Sequence, residues 1–224
     1  MVTRYTQVPR ATLWLLPEGT ARVGGGDGDA IPVFEMDVDP FYISREPITN
    51  EAFEAYKEDF VRSEYSLGDE DPAVGMTYNE AAGYCHWYSE LRGQTFRLPT
   101  EIEWEYACRG NRKTPYFFGE NPELGDPFLW DRRNSNGKIH AVEGLKANPF
   151  GLYGMLGTVW EWTSSEYRPY PLVEDVVSTV ENASMVLRGG SFLQDRTAFN
   201  AFVRRSEESD VCVQDAGFRI VRKL

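Results

Sequence analysis

The sequence predicts an α+β fold with little regular secondary structure, built from a few short helices and short antiparallel strands. Two segments carry the paired polar residues of a capping box, which is typical of a helix start. Short apolar runs bounded by turn residues are typical of short strands. Glycine is plentiful, at 20 residues, and aromatic residues make up 14% of the chain, which favours loops packed by aromatic side chains. A chain of 224 residues is long enough to bury a substantial core.

The N-terminal part of the chain is predicted to form two strands with a loop between them. Residues 12–16 and residues 33–43 contain the aromatic and aliphatic side chains that favour strands. Residues 24–29 consist of Gly and Asp, which is typical of a turn-rich loop. The loop opens no predicted helix and is not followed by Lys-Ser or Lys-Thr, so we do not expect it to bind phosphate.

Two helices are predicted in the segment that follows. Thr49 is placed as the N-cap of a helix over residues 50–62, which has aromatic side chains along one face. Thr77 and Glu80 form a capping box at the start of a second helix. Apolar residues then recur with helical period until Gly93, which is expected to end that helix.

A second capping box, formed by Thr100 and Glu103, predicts a short helix over residues 101–109 that Gly110 ends. Turn residues are scattered through the segment that follows. Short strands are predicted near residues 186–193, 199–204 and 216–222.

The chain shows no internal repeat, low-complexity segment or linker. We therefore expect one domain over residues 1–224, with its core at about 34–222.

The net charge of −12 bears on the class of partner. A phosphate backbone would be repelled, so nucleic acid is not expected as a partner. Docking on an anionic membrane surface is not expected for the same reason. The charge is spread along the chain, which is typical of a soluble surface. An acidic face for a cation or a basic partner is the alternative.

The cysteine pattern points to a reducing compartment. The three cysteines, Cys85, Cys108 and Cys212, are odd in number and lack the spacing of a metal site. Residues 1–10 are polar and no secretory signal is recognised, and no apolar stretch approaches membrane-spanning length. Cytoplasmic is therefore the default expectation, and periplasmic is the alternative if a signal has been trimmed.

Charged residues flank the aromatic segments in the second half of the chain. We expect buried Arg–carboxylate pairs, with substrate carboxylate recognition by the arginines as the alternative. Three neighbouring acids, Glu101, Glu103 and Glu105, could act as acid and base, but residues two apart do not share a helix face, so a structural role is favoured. The arginines in question are Arg97, Arg109, Arg188 and Arg219, and their expected partners are Glu103, Glu105 and Glu161.

The sequence does not favour an iron site or a serine nucleophile. His86 and His140 are the only histidines, and nothing in the sequence brings them together as an iron site would require. Ser191 lies in Arg-Gly-Gly-Ser-Phe, which is not the Gly-x-Ser-x-Gly pattern of a nucleophile elbow.

Four segments in a fixed order carry the most specific signal. They are residues 96–110, 148–162, 187–192 and 217–221. In that order they resemble the formylglycine-generating enzyme family, also called the sulfatase-modifying-factor family, and residues 47–50 and 72–76 are similar to its early pattern. The resemblance implies a C-type-lectin-like fold with little regular structure, and it runs from about Phe34 to Val221.

The resemblance also concerns copper. Active members oxidise a substrate cysteine to formylglycine with copper and oxygen, and two cysteines after the Gly-Gly-Ser step bind the copper. A thiolate pair is what Cu(I) requires. Here the first position falls on Gln194 and the second on or near Phe199. No copper is expected, and Cys85 and Cys108 are expected to be buried thiols.

The resemblance further implies calcium. The family ligands match the side chain of Glu161 and the backbone carbonyls of Gly157 and Val159, while the position of an Asn ligand is occupied by Gly154. A second family calcium site falls near Asn134 and Asn136. The alternative is that Glu161 pairs with an arginine and needs no ion.

These observations lead to three hypotheses on function. The first is a non-catalytic binding, regulatory or accessory module that holds a protein partner, a peptide or a small-molecule ligand in a groove. The second is a metal-dependent oxidoreductase with an altered site around Ser191, Arg196 and His140. The third is a structural subunit of a larger assembly, which predicts a large exposed apolar patch. The groove of the first hypothesis would be lined by Trp160, Trp162, Ser191, Phe192, Gln194, Arg196, Asn200 and Arg204.

Overall fold

The computed structural model describes residues 10–26, 28–175, 177–178 and 183–224. Within these ranges the fold is α+β, with short helices and short strands as predicted. The α-helices are α1 (Asn50–Tyr56), α2 (Tyr78–Arg92) and α3 (Glu101–Arg109). The strands of the N-terminal half are β1 (Leu13–Leu16), β2 (Gly19–Val23), β3 (Phe34–Val38) and β4 (Phe41–Ser44). Those of the C-terminal half are β5 (Trp160–Glu166), β6 (Ser184–Arg188), β7 (Arg204–Glu208), β8 (Ala216–Gly217) and β9 (Val221–Lys223).

The described strands form three small sheets. One has the order β1-β4-β9, the second pairs β2 with β3, and the third has the order β7-β6-β5-β8. Every pair is antiparallel except β5 with β8, which is parallel. Because β9 at the end of the chain pairs with β4 near its start, the fold brings the two halves of the sequence together.

Both capping boxes are confirmed. Thr77 accepts a hydrogen bond from the backbone N–H of Glu80, and the Glu80 carboxylate accepts one from the N–H of Thr77. The same reciprocal pair of bonds joins Thr100 and Glu103 at the start of α3. These bonds satisfy N–H groups that have no partner within the helix.

The predicted helix over residues 50–62 is too long, because α1 ends at Tyr56. Lys57 leaves the helix with φ −121° and ψ 90°. Its ammonium pairs with Glu80 of α2. Arg62 folds back on α1, where its Nε lies 2.6 Å from Glu54 Oε1. Tertiary ion pairs therefore overrode the helical pattern beyond Tyr56.

The strand predictions located strands but misplaced several boundaries. The single strand predicted over 33–43 is split into β3 and β4, because Pro40 has no N–H for a sheet hydrogen bond. The strand predicted near 199–204 begins only at Arg204. Asn200 is the reason, since its Oδ1 accepts the backbone N–H groups of Phe202 and Val203 and holds a turn there.

The strand expected near 216–222 is interrupted and forms β8 and β9, and the one expected near 186–193 ends at Arg188. Neither β2 nor β5 was predicted. All residues of β5 before Glu166 are buried, so the strand lacks the alternation that identifies a half-buried strand.

The described core consists of two large clusters and a small one. The first packs α3 against the strands β1 to β4 and includes Leu16, Ala21 and Val23, which precede residue 34. The second packs α1 and α2 against β5 and β6. The third is small and contains Val159 and Phe192. Helix α3 thus lies at the centre of the molecule, beside β5.

Candidate functional site

Every residue of α3 is buried, including three glutamates. A buried carboxylate requires a cationic partner or hydrogen-bond donors, because burial strips it of water. Each of the three faces an arginine, as predicted for Glu103 and Glu105; Glu101 was not among the expected partners. The Glu103 carboxylate accepts from Nη1 and Nη2 of Arg97 at 2.6 and 2.7 Å.

The other two glutamates share Arg188. Glu101 accepts from Arg188 Nη1 at 3.1 Å and from Arg204 Nε and Nη2 at 2.7 and 3.0 Å. Glu105 accepts from Arg109 Nε at 2.8 Å and pairs with Arg188 Nη2. These groups are wholly or almost wholly buried, so the cluster is a structural charge network in which no carboxylate faces solvent as an acid or base.

Ser191 follows β6 and is fully buried. Its Oγ donates a 2.6 Å hydrogen bond to Asp215 Oδ2, and its backbone N–H donates to Gln194 Oε1 at 3.1 Å. Arg205 approaches the other Asp215 oxygen at 3.5 Å, and its guanidinium stacks over the Trp160 ring at 5.9 Å. The serine is therefore held by a carboxylate and has no histidine as a base.

Both positions that the resemblance assigns to copper thiolates are used for structure. Gln194 accepts the Ser191 N–H. Phe199 is fully buried and belongs to the first core cluster. The three cysteines form no disulfide. Cys85 and Cys108 are buried as predicted, and burial raises the pKa of both thiols; Cys212 is exposed beside the side chain of Gln214.

The residues predicted to line one groove do not share an exposed surface. Six of the eight are buried. Trp162 and Phe192 pack in the core, and Arg196 and Arg204 are engaged by buried carboxylates. Gln194 and Asn200 are half-buried. The aromatic and arginine side chains were placed in a groove because such residues favour binding surfaces, whereas here they fill the interior.

The residues present do not fit the calcium that the resemblance implies. Both oxygens of Glu161 accept hydrogen bonds from Arg219, at 2.7 Å each, and Oε2 also accepts from Trp104 Nε1 at 2.7 Å. This is the arginine pairing expected as the alternative. Asn134 uses both side-chain atoms within its own loop, and Asn136 is exposed. Gly157 and Val159 are buried, and the N–H of Gly157 donates to the backbone carbonyl of Gly189.

The histidines are not brought together. His86 is exposed on α2 and lies 3.5 Å from Glu90. His140 Nε2 lies 2.8 Å from the carbonyl oxygen of Ser135, and its ring packs on Trp130. Among the residues that the structure describes, no group of three or more His, Cys, Asp or Glu side chains is placed to hold a metal ion.

A cavity of about 350 Å³ opens between β4 and α1. Four glutamates from three stretches of the chain line it, although no sequence pattern indicates that they meet. Burial raises the pKa of Glu46, and the neighbouring carboxylate of Glu143 adds to the rise. The four are Glu46, Glu51, Glu70 and Glu143.

A second cavity, of about 540 Å³, lies between β3 and the start of α3. Asp175 lines it and accepts a 2.5 Å hydrogen bond from Thr100 Oγ1. Burial raises the pKa of Asp175 to about 6. In the part of the chain described here, no helix has the length and apolar character needed to cross a membrane.

The sequence model of the sulfatase-modifying factor enzyme 1-like domain matches residues 2–224. The chain is 29% identical to a formylglycine-generating enzyme of Mycobacterium tuberculosis over 175 residues, and 30% identical to the inactive C-alpha-formylglycine-generating enzyme 2 of Mus musculus over 210 residues. The matches cover 67% of this chain in each case, and 56% and 66% of the two relatives. This chain therefore spans only part of the length of those relatives.

Solved structures show the same fold. Treponema denticola variable protein 1 has a TM-score of 0.84 at 20% identity, covering 95% of both chains. PvdO from Pseudomonas aeruginosa has a TM-score of 0.83 at 23% identity, covering 95% of this chain and 94% of the other. At these identities the likeness establishes the architecture alone. The two curated relatives are almost equally similar to this chain, yet one is named as an enzyme and the other as inactive. Overall identity therefore does not decide activity, and the residues at the site must.

Proposed function

The chain belongs to the sulfatase-modifying factor family, and from this premise we propose that it is a non-catalytic module that binds a peptide or small ligand. One observation carries the proposal. The two positions assigned to the copper thiolates hold Gln194 and Phe199, and both side chains are committed to the fold. A Cu(I) site needs soft sulfur ligands, and neither an amide nor a phenyl ring supplies one.

The other chemistry of this region supports the same proposal. Ser191 is fully buried, so it lacks the access to substrate that a nucleophile needs, and its hydroxyl is bonded to the carboxylate of Asp215 and not to a histidine. Cys212 is exposed, but the charged groups that act on it are Glu80 and Lys57, and its pKa is raised by burial. A thiol with a raised pKa is a poor thiolate donor at neutral pH.

We place the ligand on the accessible surface beside Ser191, formed by Leu193, Gln194, Arg205 and Asp215 and named here the Ser191 surface. The buried ring of Trp160 lies beneath Arg205. Leu193 is 45% exposed. Arg205 and Asp215 are partly exposed and only loosely paired, at 3.5 Å. An apolar side chain next to one cation and one anion offers a peptide both a hydrophobic contact and directional hydrogen bonds.

A displayed random-peptide library panned against the full chain tests the binding proposal. Enriched peptides should bind the wild-type protein and lose at least about tenfold in affinity with Arg205→Ala or Leu193→Asp. Arg222→Ala is the matched control, because Arg222 stacks on Tyr42 in another sheet. Equal binding by all variants, or no enrichment, would count against the Ser191 surface.

The catalytic alternative is tested separately. The purified chain is loaded with Cu(I) and incubated in air with a cysteine-containing peptide, and the peptide mass is measured. We expect no formylglycine, whatever disulfide the copper and air produce from the free thiol. Conversion of the cysteine to formylglycine would overturn the non-catalytic proposal.

The molecular mass of the protein in solution tests the assembly hypothesis, because a structural subunit would form a stable oligomer.

A further inference from the structure

A small cavity of about 90 Å³, named here the Arg22 cavity, lies between β2, β3 and the C-terminal end of α3. Half of the eight residues that line it are cationic, although the chain as a whole carries a net charge of −12. Glu35 is the one acidic residue in the lining. The cavity is therefore a positively charged spot on a negatively charged protein. The four cations are Arg22, Arg109, Arg112 and Lys113.

Strand β2 supplies the first of these cations. Ala21 and Val23 pack in the core, so the side chain of Arg22 between them lies on the other side of the strand. Glu35 of β3 is its partner in register, and Arg22 is half-buried while Glu35 is exposed. Arg22 is thus held at the wall of the cavity by a strand and not by a loop.

The end of α3 and the segment after it supply the other three. The helix ends at Arg109, and Gly110 and Asn111 follow in the left-handed conformation, with φ 56° and 64°. After this turn, the exposed residues Arg112 and Lys113 line the same cavity as the cation on β2. Cations are favoured near the C-terminal end of a helix, which accounts for Arg112 and Lys113 but not for the arginine on β2.

The four cations differ in whether their charge is already used. Arg109 is 3% exposed, its Nε donates to Glu105 at 2.8 Å, and its Nη2 donates to the carbonyl of Gly24 at 2.9 Å. Its charge is balanced inside the protein. The other three form no ion pair with any residue that the structure describes. Three positive charges therefore stand against the single negative charge of Glu35, which leaves two in excess.

We propose that the Arg22 cavity binds a phosphate group, either as the free ion or as a phosphate monoester. The cavity has room for a small group only. A phosphate monoester carries a charge of about −1.5 to −2 at neutral pH, which matches the two excess positive charges. The forked donors of Arg22 and Arg112 suit phosphate oxygens, and the local positive potential attracts anions. A carboxylate carries one negative charge and is matched less well.

Nuclear magnetic resonance of the full chain tests this site with inorganic phosphate as the probe. Chloride keeps the ionic strength constant, because screening alone weakens contacts between exposed charges. Titration to about 10 mM phosphate should give saturable shifts in the backbone amide signals of Arg22, Asn111, Arg112 and Lys113, since we expect a Kd of about 1 mM for a partly exposed site. Acetate should bind more weakly. The absence of saturable shifts at these amides would overturn the proposal, and equal affinity for acetate would overturn the assignment to phosphate.

Substitutions that change the charge of the cavity in both directions provide a second test. Arg22→Gln and Arg112→Gln should each weaken phosphate binding by about fivefold, because each removes one cation from a partly exposed site. Glu35→Gln should strengthen binding by about threefold, because it removes the one opposing charge. Arg222→Gln is the matched control, since Arg222 stacks on Tyr42 in another sheet. Equal Kd values for the cavity variants and the control would contradict the proposal.

Competition identifies the source of the phosphate group. A short phosphoserine peptide should displace inorganic phosphate, and the unphosphorylated peptide should not. Tighter binding of the phosphopeptide than of the ion would identify a phosphorylated chain as the ligand, and failure to displace the ion would identify inorganic phosphate. Leu193→Asp should leave phosphate binding unchanged, because Leu193 belongs to the Ser191 surface. The two binding proposals can therefore fail independently.

Discussion

The hydroxyl of Ser191 donates a 2.6 Å hydrogen bond to the carboxylate of Asp215. This bond joins the loop after β6 to the residue before β8, so two separate stretches of the chain are tied at the Ser191 surface. The carboxylate is an acceptor here, and it lies 3.5 Å from Arg205 on its other oxygen. The arrangement holds the loop in place and keeps the serine hydroxyl buried.

Ser191→Ala removes this bond and leaves Asp215 without its shortest partner. Hydrogen bonds to charged groups contribute about 1.5–3 kcal/mol, so we expect a loss of that size in the free energy of unfolding, measured in urea. Asp215→Asn retains an acceptor oxygen and loses the charge, and we expect a smaller loss. An unchanged stability for Ser191→Ala would show that the bond is absent in solution.

Glu105→Gln tests the buried charge network around α3. The substitution leaves Arg188 and Arg109 with a neutral partner in the core, and the free energy of unfolding should fall by about 3–5 kcal/mol. The control is Glu166→Gln, which breaks a more exposed pair with Arg168 and should change stability by less than about 0.5 kcal/mol. Similar losses in the two variants would argue against a special role for burial.

Asp175 should make stability depend on pH. Burial raises its pKa from 3.8 to about 6, the nearby Glu103 and Glu101 add to the rise, and Arg97 and the Thr100 hydroxyl oppose it. The folded state therefore holds the proton more tightly than the unfolded chain. The contribution of Asp175 to stability is complete below about pH 4 and is lost as the pH rises through about 6.

Asp175→Asn removes this dependence. Relative to the wild type, the variant should gain about 1–3 kcal/mol in the free energy of unfolding between pH 4 and pH 7, followed by urea unfolding at each pH. A constant difference between the two proteins across this range would show that Asp175 does not titrate there.

Gly190 adopts φ +79°, and a Cβ at this position would overlap the ring of Phe199. Gly190→Ala should therefore cost more than about 3 kcal/mol, because strain in the left-handed region adds to overpacking in the core. Gly93 has φ +63° at the end of α2, and a methyl group added there would meet no atom within 4 Å. Gly93→Ala should cost only about 1 kcal/mol. Thermal or urea unfolding of both variants measures these losses in stability. Equal losses would show that a methyl group at position 190 does not clash with Phe199.

Much of the local structure was predictable because its causes lie within a few residues. Thr77 with Glu80 and Thr100 with Glu103 define helix starts by bonds between residues three apart. Gly93 and Gly110 end their helices in the left-handed conformation that glycine favours. The predicted end of α1 was wrong because two ion pairs that no local pattern indicates set it. Lys57 pairs with Glu80 of α2, and Arg62 meets Glu54 because the chain turns back on α1.

The pairing of arginines with glutamates was predictable in kind, since buried opposite charges require each other. The pairing of Glu101 with two arginines was not predictable. Glu101 was expected to have a structural role but was not among the expected partners of the arginines, yet it binds Arg188 and Arg204, which lie 87 and 103 residues further along the chain. A separation of that size leaves no local pattern in the sequence.

By itself, the sequence determined the α+β class, the helix caps, the family and the lack of sulfur at positions 194 and 199. These properties reside in residue identities and in interactions between near neighbours. Only the tertiary structure decided which side chains face solvent. It buried Trp162, Phe192 and Arg196, brought Glu46, Glu70 and Glu143 to one cavity, and set Arg219 against Glu161. The reason is physical: burial and long-range pairing depend on how all elements pack together, and no short window of sequence contains that information.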